Sequence, residues 1–94
     1  MNTRQNAWNI YQYFIKAGIV NLTGSVLRDA IEQILGTYDL RQMRLIERCL
    51  IQEKWITPKD NERFVLRHYI VNPNGKLLTQ EEKIEQLLKE GLKP

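Results

Sequence analysis

Apolar residues recur at helical spacing in four stretches of this chain and at strand spacing in one. In the first stretch, residues 3–17, Ala7, Tyr11, Phe14 and Ile15 follow one helical row, with Trp8, Ile10 and Ala17 beside it. Thr3 or Asn2 can cap its start, and Gly18 can end it in the left-handed conformation. The apolar stripe covers half the helix, wider than the ~100° of a one-sided surface helix. That width fits either two contact surfaces or a helix sunk deep in its own domain. Residues 19–22 form a short extended link with the character of a brief strand. Thr23 or Ser25 then caps a second helix over residues 24–35. Leu27, Ala30, Ile31, Ile34 and Leu35 face inward, Arg28, Asp29, Glu32 and Gln33 face outward, and Gly36 is the stop.

After a tight turn at Thr37 and Tyr38, Asp39 and Gln42 make a D-x-x-Q capping pattern that opens a third helix over residues 39–54. Successive residues turn by ~100°, which puts Met43, Ile46, Leu50 and the stem of Lys54 on the core side. Arg41, Arg44, Leu45, Arg48 and Gln52 fall on the opposite side. The arginines stand at i, i+3 and i+7 and project the same way, while the acids of this helix, Glu47 and Glu53, lie elsewhere. Trp55, Ile56 and Thr57 begin a strand. Residues 58–61 are a turn cluster, and residues 63–71, rich in aromatic and β-branched side chains, are the strongest strand signal in the chain. Together they predict a two-stranded hairpin with a polar tip. Residues 72–75 are a second turn. Thr79 and Glu82 form another capping box, opening a last helix through Glu90 with Gly91 as its stop. Leu77, Ile84, Leu87 and Leu88 give it a narrow apolar stripe, and Glu85 and Lys89 are spaced to pair.

The chain has 94 residues, enough for one domain with a small core. The hydrophobic share is 43% and the charged share 27%, as in an ordinary globular chain and unlike a disordered one. The single cysteine, Cys49, excludes an intramolecular disulfide and suits a reducing compartment. The N-terminal MNTRQNAWN has no apolar core of signal-peptide type. No run approaches the ~18 apolar residues of a membrane helix. A cytoplasmic location is therefore expected. The net charge of +3 is concentrated. Basic and acidic residues balance over residues 1–40 and again over 68–94, whereas residues 41–67 hold seven Lys and Arg against four Asp and Glu. Such asymmetry points to an acidic partner for the middle segment.

Little else in the chain carries chemistry. Cys49 lies between core and surface and reads as a small buried hydrophobe, with an inter-subunit disulfide or redox switch as the alternative. His68 has no Cys, Asp or Glu at ligand spacing, so no zinc site is expected. No glycine-rich phosphate loop, nucleophile motif or spaced carboxylate pair is present. No catalytic residues, metal, cofactor or small-molecule substrate are expected, and the chain does not read as an enzyme.

The order helix, short strand, helix, tight turn, helix, hairpin, helix resembles the winged helix-turn-helix superfamily over residues 3–71. The specific part is LTGSVLRDAIEQILG-TYD-LRQMRLIERCLIQEKWI-TPKDNERFVL, similar to the second helix, turn, recognition helix and wing. Trp55-Ile56 matches the aromatic-isoleucine pair that closes the recognition helix and starts the wing. The position before it, often glycine, is Lys54. The resemblance implies an α+β fold: a single winged-helix domain over residues 1–94, with a three-helix core, a two-stranded β wing and an additional C-terminal helix over 79–91. Small regulators of this kind are usually homodimers that pair through their first and last helices. The resemblance thus implies Trp8, Tyr11, Ile15, Ile84, Leu87 and Leu88 as dimer-interface residues.

The implied function is sequence-specific binding of double-stranded DNA as a transcription regulator. A helix over 39–54 fits the major groove, and a wing over 56–66 would meet the backbone or minor groove. Arg41, Gln42, Arg44 and Leu45, nearest the helix start, are expected to read bases, with Arg48 on phosphate. Lys59, Asn61 and Arg63 would act from the wing. Helix N-termini near Val26 and Leu40 offer N–H groups to phosphate. A dimer would present two such units about 34 Å apart. The alternative is a winged-helix protein–protein module whose basic face meets an acidic partner. A single-strand or RNA binder fits less well, because the basic helix face carries no aromatic residue for base stacking.

Overall fold

The structure is a computed structural model that describes residues 2–91. Its elements follow the order α1 (Thr3–Lys16), β1 (Asn21–Thr23), α2 (Gly24–Leu35), α3 (Leu40–Gln52), β2 (Ile56–Pro58), a 3-10 turn (Phe64–Leu66), β3 (His68–Val71) and α4 (Gln80–Gly91). The result is an α+β domain with four helices and a three-stranded antiparallel sheet in the order β1-β3-β2.

Each helix begins where its sequence supplies an oxygen for the open N–H groups. Asn2 accepts from the Gln5 amide at 3.0 Å, Thr23 from Val26 at 3.3 Å, and Asp39 from Arg41 at 2.9 Å. Before α4 the capping box closes in both directions: the Thr79 amide donates to Glu82 and the Glu82 amide to Thr79, each at 3.2 Å. Gly36 ends α2 at φ 66°, a left-handed conformation in which a Cβ is strained.

The core joins one face of each of α1, α2 and α3 to the inner face of the sheet. It contains Ala7, Ile10, Tyr11 and Phe14 of α1, then Leu27, Ala30 and Ile31 of α2, then Met43, Ile46 and Leu50 of α3. Trp55, Ile56, Tyr69, Val71 and Leu22 complete it. On β3, Tyr69 and Val71 are buried while His68 and Ile70 are exposed, the alternation of a strand with one covered face.

Several expectations are corrected. Tyr11 does not stand at a dimer surface. It is 1% exposed, stacked at 5.7 Å on Trp55, and its hydroxyl donates to the Asn72 carbonyl while accepting from the Gly75 amide at 2.8 Å. Trp8 is half-buried in the same aromatic group, 5.0 Å from Trp55. The broad stripe of α1 therefore serves this chain's own core. Ile10, expected on the flank of the stripe, is buried in the core, while Ile15, expected in the central row and implied at a dimer interface, is 38% exposed. Ile34, expected inside, is 39% exposed because the last turn of α2 looks onto an open groove shared with Tyr13 and Val26.

The long strand expected over 63–71 is shorter. Only His68–Val71 is strand, and Phe64–Leu66 is a 3-10 turn. The segment bends there because it docks on the start of α2. The Gly24 amide donates to the Arg67 carbonyl at 2.8 Å, and the Phe64 carbonyl lies so close that a Cβ on Gly24 would be 1.5 Å from its oxygen. Tertiary contact thus overrides local β preference. Pro58, expected in the turn, belongs to β2 and pairs with Tyr69. An edge strand tolerates the missing N–H, and β2 is an edge. The short link after α1 becomes β1, which pairs with β3 through Leu22 and Tyr69 and makes the sheet three-stranded.

The helix α4 has no buried residue. It is held by charge: Glu53, whose side chain is 6% exposed, takes Lys83 on one side and Arg4 at 2.9 Å on the other. Arg4 also donates to the Leu78 carbonyl at 2.7 Å, and Trp55 Nε1 donates to the Lys76 carbonyl at 3.1 Å. The segment leading to α4 is thereby fastened across the aromatic group.

Candidate functional site

The outward face of α3 presents Arg41, Arg44, Leu45, Arg48 and Gln52, all exposed, opposite the buried Met43, Ile46 and Leu50. Among the described residues, none of Arg41, Arg44 and Arg48 lies within 4.0 Å of a carboxylate. The nearby acids are committed elsewhere. The Asp39 carboxylate caps the helix. Glu47 points to the sheet, where it accepts from the Tyr69 hydroxyl and from Arg67 at 3.4 Å. Burial, then the hydrogen bond to Glu47, pushes the Tyr69 phenol above its ordinary value of 10.0. Glu53 faces α1 and α4. Burial opposes its ionisation, but hydrogen bonds from Lys83 and Arg4 outweigh that and hold its carboxyl below the usual 4.5. Sorted in this way, the acids of α3 bind the fold and its arginines face solvent.

A groove of about 380 Å³ opens beside the start of α3, between α2 and the segment containing the 3-10 turn. Five arginines line it: Arg28, Arg41, Arg44, Arg63 and Arg67. Two of them are neutralised within the chain: Arg28 meets Glu32 at 3.2 Å and Arg67 meets Glu47 at 3.4 Å. The remaining wall is apolar, formed by Leu40, Met43, Phe64 and Val65.

The structure therefore brings Arg63, expected at the tip, beside Arg41 and Arg44. Leu45 and Arg48 share the outer face of α3 without lining the groove. Gln42 is half-buried on its flank. Lys59 and Asn61 are exposed on a tip organised by Asp60, whose carboxylate accepts from the Glu62 amide at 3.0 Å and meets His68 Nδ1 at 3.1 Å. The backbone bond from Glu62 is the largest influence and holds the Asp60 carboxyl below its usual 3.8; burial opposes it, and the bonds from His68 add to the lowering. The helix N-terminus near Val26 has less to offer a phosphate than expected, since Gly24 N–H is bonded to Arg67 and Val26 N–H to Thr23. Sequence reasoning did not find Arg28, Arg67 and Phe64 as groove residues. No local pattern links them, because they meet only where residues 63–67 dock on α2.

The remaining interface candidates are split. Ile84, Leu87 and Leu88 are 57–64% exposed on α4. Ile15 is 38% exposed but lies about 16 Å along α1 from Arg4, where the segment before α4 is fastened. Burial, reinforced by the charge of Glu53, pushes the half-buried Cys49 thiol above its ordinary 9.0. Among the described residues no group of three or more His, Cys, Asp and Glu is placed to hold a metal ion. No helix among them is long and apolar enough to cross a membrane. No family model, curated protein or solved structure matches this chain.

Proposed function

We propose that this protein is a small winged helix-turn-helix regulator that binds double-stranded DNA, with α3 as recognition helix and residues 56–66 as wing. One observation carries the reading: among the described residues the three outward arginines of α3 meet no carboxylate, while Glu47 on the helix and Glu53 at its end are bonded to the sheet, α1 and α4. A helix so sorted presents planar cationic forks suited to phosphate and to guanine edges. Arg41 and Arg44, near its start, are the base-reading candidates, with Arg48 on the backbone. No catalytic role is proposed for any residue.

The proposal includes a homodimer formed through α4, whose Ile84, Leu87 and Leu88 stand at i, i+3 and i+4 and are exposed together. Tyr11 takes no part in it. A second reading, docking of the same face on an acidic protein, is favoured by the exposed Leu45 between Arg44 and Arg48 on α3.

Retention on random duplex DNA at low salt, followed by a salt titration, separates the two. DNA binding through the basic face requires affinity to fall steeply with salt, because each neutralised phosphate releases counterions. A flat salt dependence or no retention rejects the DNA reading. Selection from a random duplex pool, with the mass measured in solution, then tests for the palindrome a dimer would select.

A further inference from the structure

The groove beside α3 has a property that contact with a DNA backbone does not use. Its floor is apolar, and part of that floor is open to water: Leu40 is 64% and Val65 43% exposed. Hydrated phosphates would leave these surfaces uncovered. Arg41, Arg44 and Arg63 line the same groove, and none has a carboxylate of the chain within 4.0 Å among the described residues. Like charges around one concavity repel, and an apolar wall strengthens that repulsion by lowering the local dielectric. An anion placed among them removes the repulsion, and an apolar body attached to it covers the floor.

We propose that this groove binds a small organic anion, an aromatic ring or branched chain bearing one carboxylate. The volume of about 380 Å³ is at the lower end of small-molecule sites. The charge balance selects the sign: Arg28 and Arg67 already have carboxylate partners, so the free positive charge comes from Arg41, Arg44 and Arg63. The carboxylate takes one planar fork in a bidentate pair, and the ring lies on Phe64 and Val65. The chemistry is distinct from duplex recognition and does not rest on it. An anion held here would, however, occupy the start of α3.

The test is an amide NMR titration of the full chain with naphthoate, compared with naphthalenemethanol, which keeps the rings without the charge, and with inorganic phosphate, which keeps the charge without the rings. Naphthoate should give saturable shifts centred on residues 40–44 and 63–67, with much smaller responses to the two controls. Binding should weaken at least about tenfold in the double variant Arg44→Ala/Arg63→Ala, from loss of charge-assisted bonds. Val65→Glu, at an exposed position, should abolish it by placing a carboxylate at the floor. Wild-type affinity in both variants, shifts centred elsewhere, or a response to phosphate or to the alcohol as strong as that to naphthoate would overturn the proposal.

Discussion

The hydroxyl of Tyr69, in the central strand, donates to the carboxylate of Glu47 on α3. Arg67 completes the arrangement, bonding the same carboxylate at 3.4 Å and the Glu62 carbonyl at 3.0 Å. The helix bearing the outward arginines is thus fastened on its inner flank to the sheet and to the segment that lines the groove. Glu47→Ala would leave the Tyr69 hydroxyl without its partner, at a cost of about 1–3 kcal/mol. Urea unfolding should show this loss, with a smaller one for Glu47→Gln, which keeps an acceptor.

Gly24 and Gly18 should respond differently to alanine. At Gly24 the added Cβ would lie 1.5 Å from the Phe64 carbonyl oxygen, a backbone atom that cannot move alone. Gly24→Ala should cost about 3 kcal/mol or more, the upper end of overpacking, and should loosen residues 63–67 from α2. At Gly18 the surrounding space is open and only φ +70° opposes the change. A cost of about 1 kcal/mol is expected there. Thermal melts of the two variants check the order.

Stability should decline in acid in a way that depends on Glu53. Its folded-state carboxyl titrates below the ordinary 4.5, so its contribution is present at neutral pH and down to that value. The contribution is lost as pH falls through the folded value, when the unfolded state binds the proton more readily. Asp60 has the same sign of shift but is solvent-exposed and adds little. Glu53→Gln should lower the melting temperature at neutral pH and flatten its decline in acid. An unchanged pH profile would remove Glu53 as the source.

If the proposed DNA reading holds, Arg44→Ala should weaken cognate duplex binding by about 1–3 kcal/mol, the range of one bidentate base contact. Arg28→Ala should have a smaller effect, since Arg28 is already paired with Glu32. Fluorescence anisotropy on a selected duplex measures both. Equal affinity of wild type and Arg44→Ala removes Arg44 from the interface.

Lys54 shows how far one residue can be read. Its stem, expected on the core side of α3, is exposed instead: α3 ends at Gln52 and Lys54 follows it at φ 61°, a left-handed conformation that glycine adopts at lower cost. The capping box of Thr79 and Glu82 was legible, because both bonds form within one turn of chain. The 3-10 turn at Phe64–Leu66 was not, because its cause, the backbone of α2, lies about forty residues earlier.

The sequence by itself determined which face of α3 holds the fold. Met43, Ile46 and Leu50 separate from Arg41, Arg44 and Arg48 by periodicity alone, since both sets are fixed by the turn of one helix. It also located the net charge in the middle segment. Only the tertiary structure decided where residues far apart in the chain meet. It buried Tyr11 under residues 72–75, turned Glu47 to Tyr69, and gathered Arg41, Arg44 and Arg63 around one apolar-floored groove. Periodicity constrains neighbours along the chain, whereas these placements depend on how α2, α3 and β3 pack together, and no local pattern encodes that.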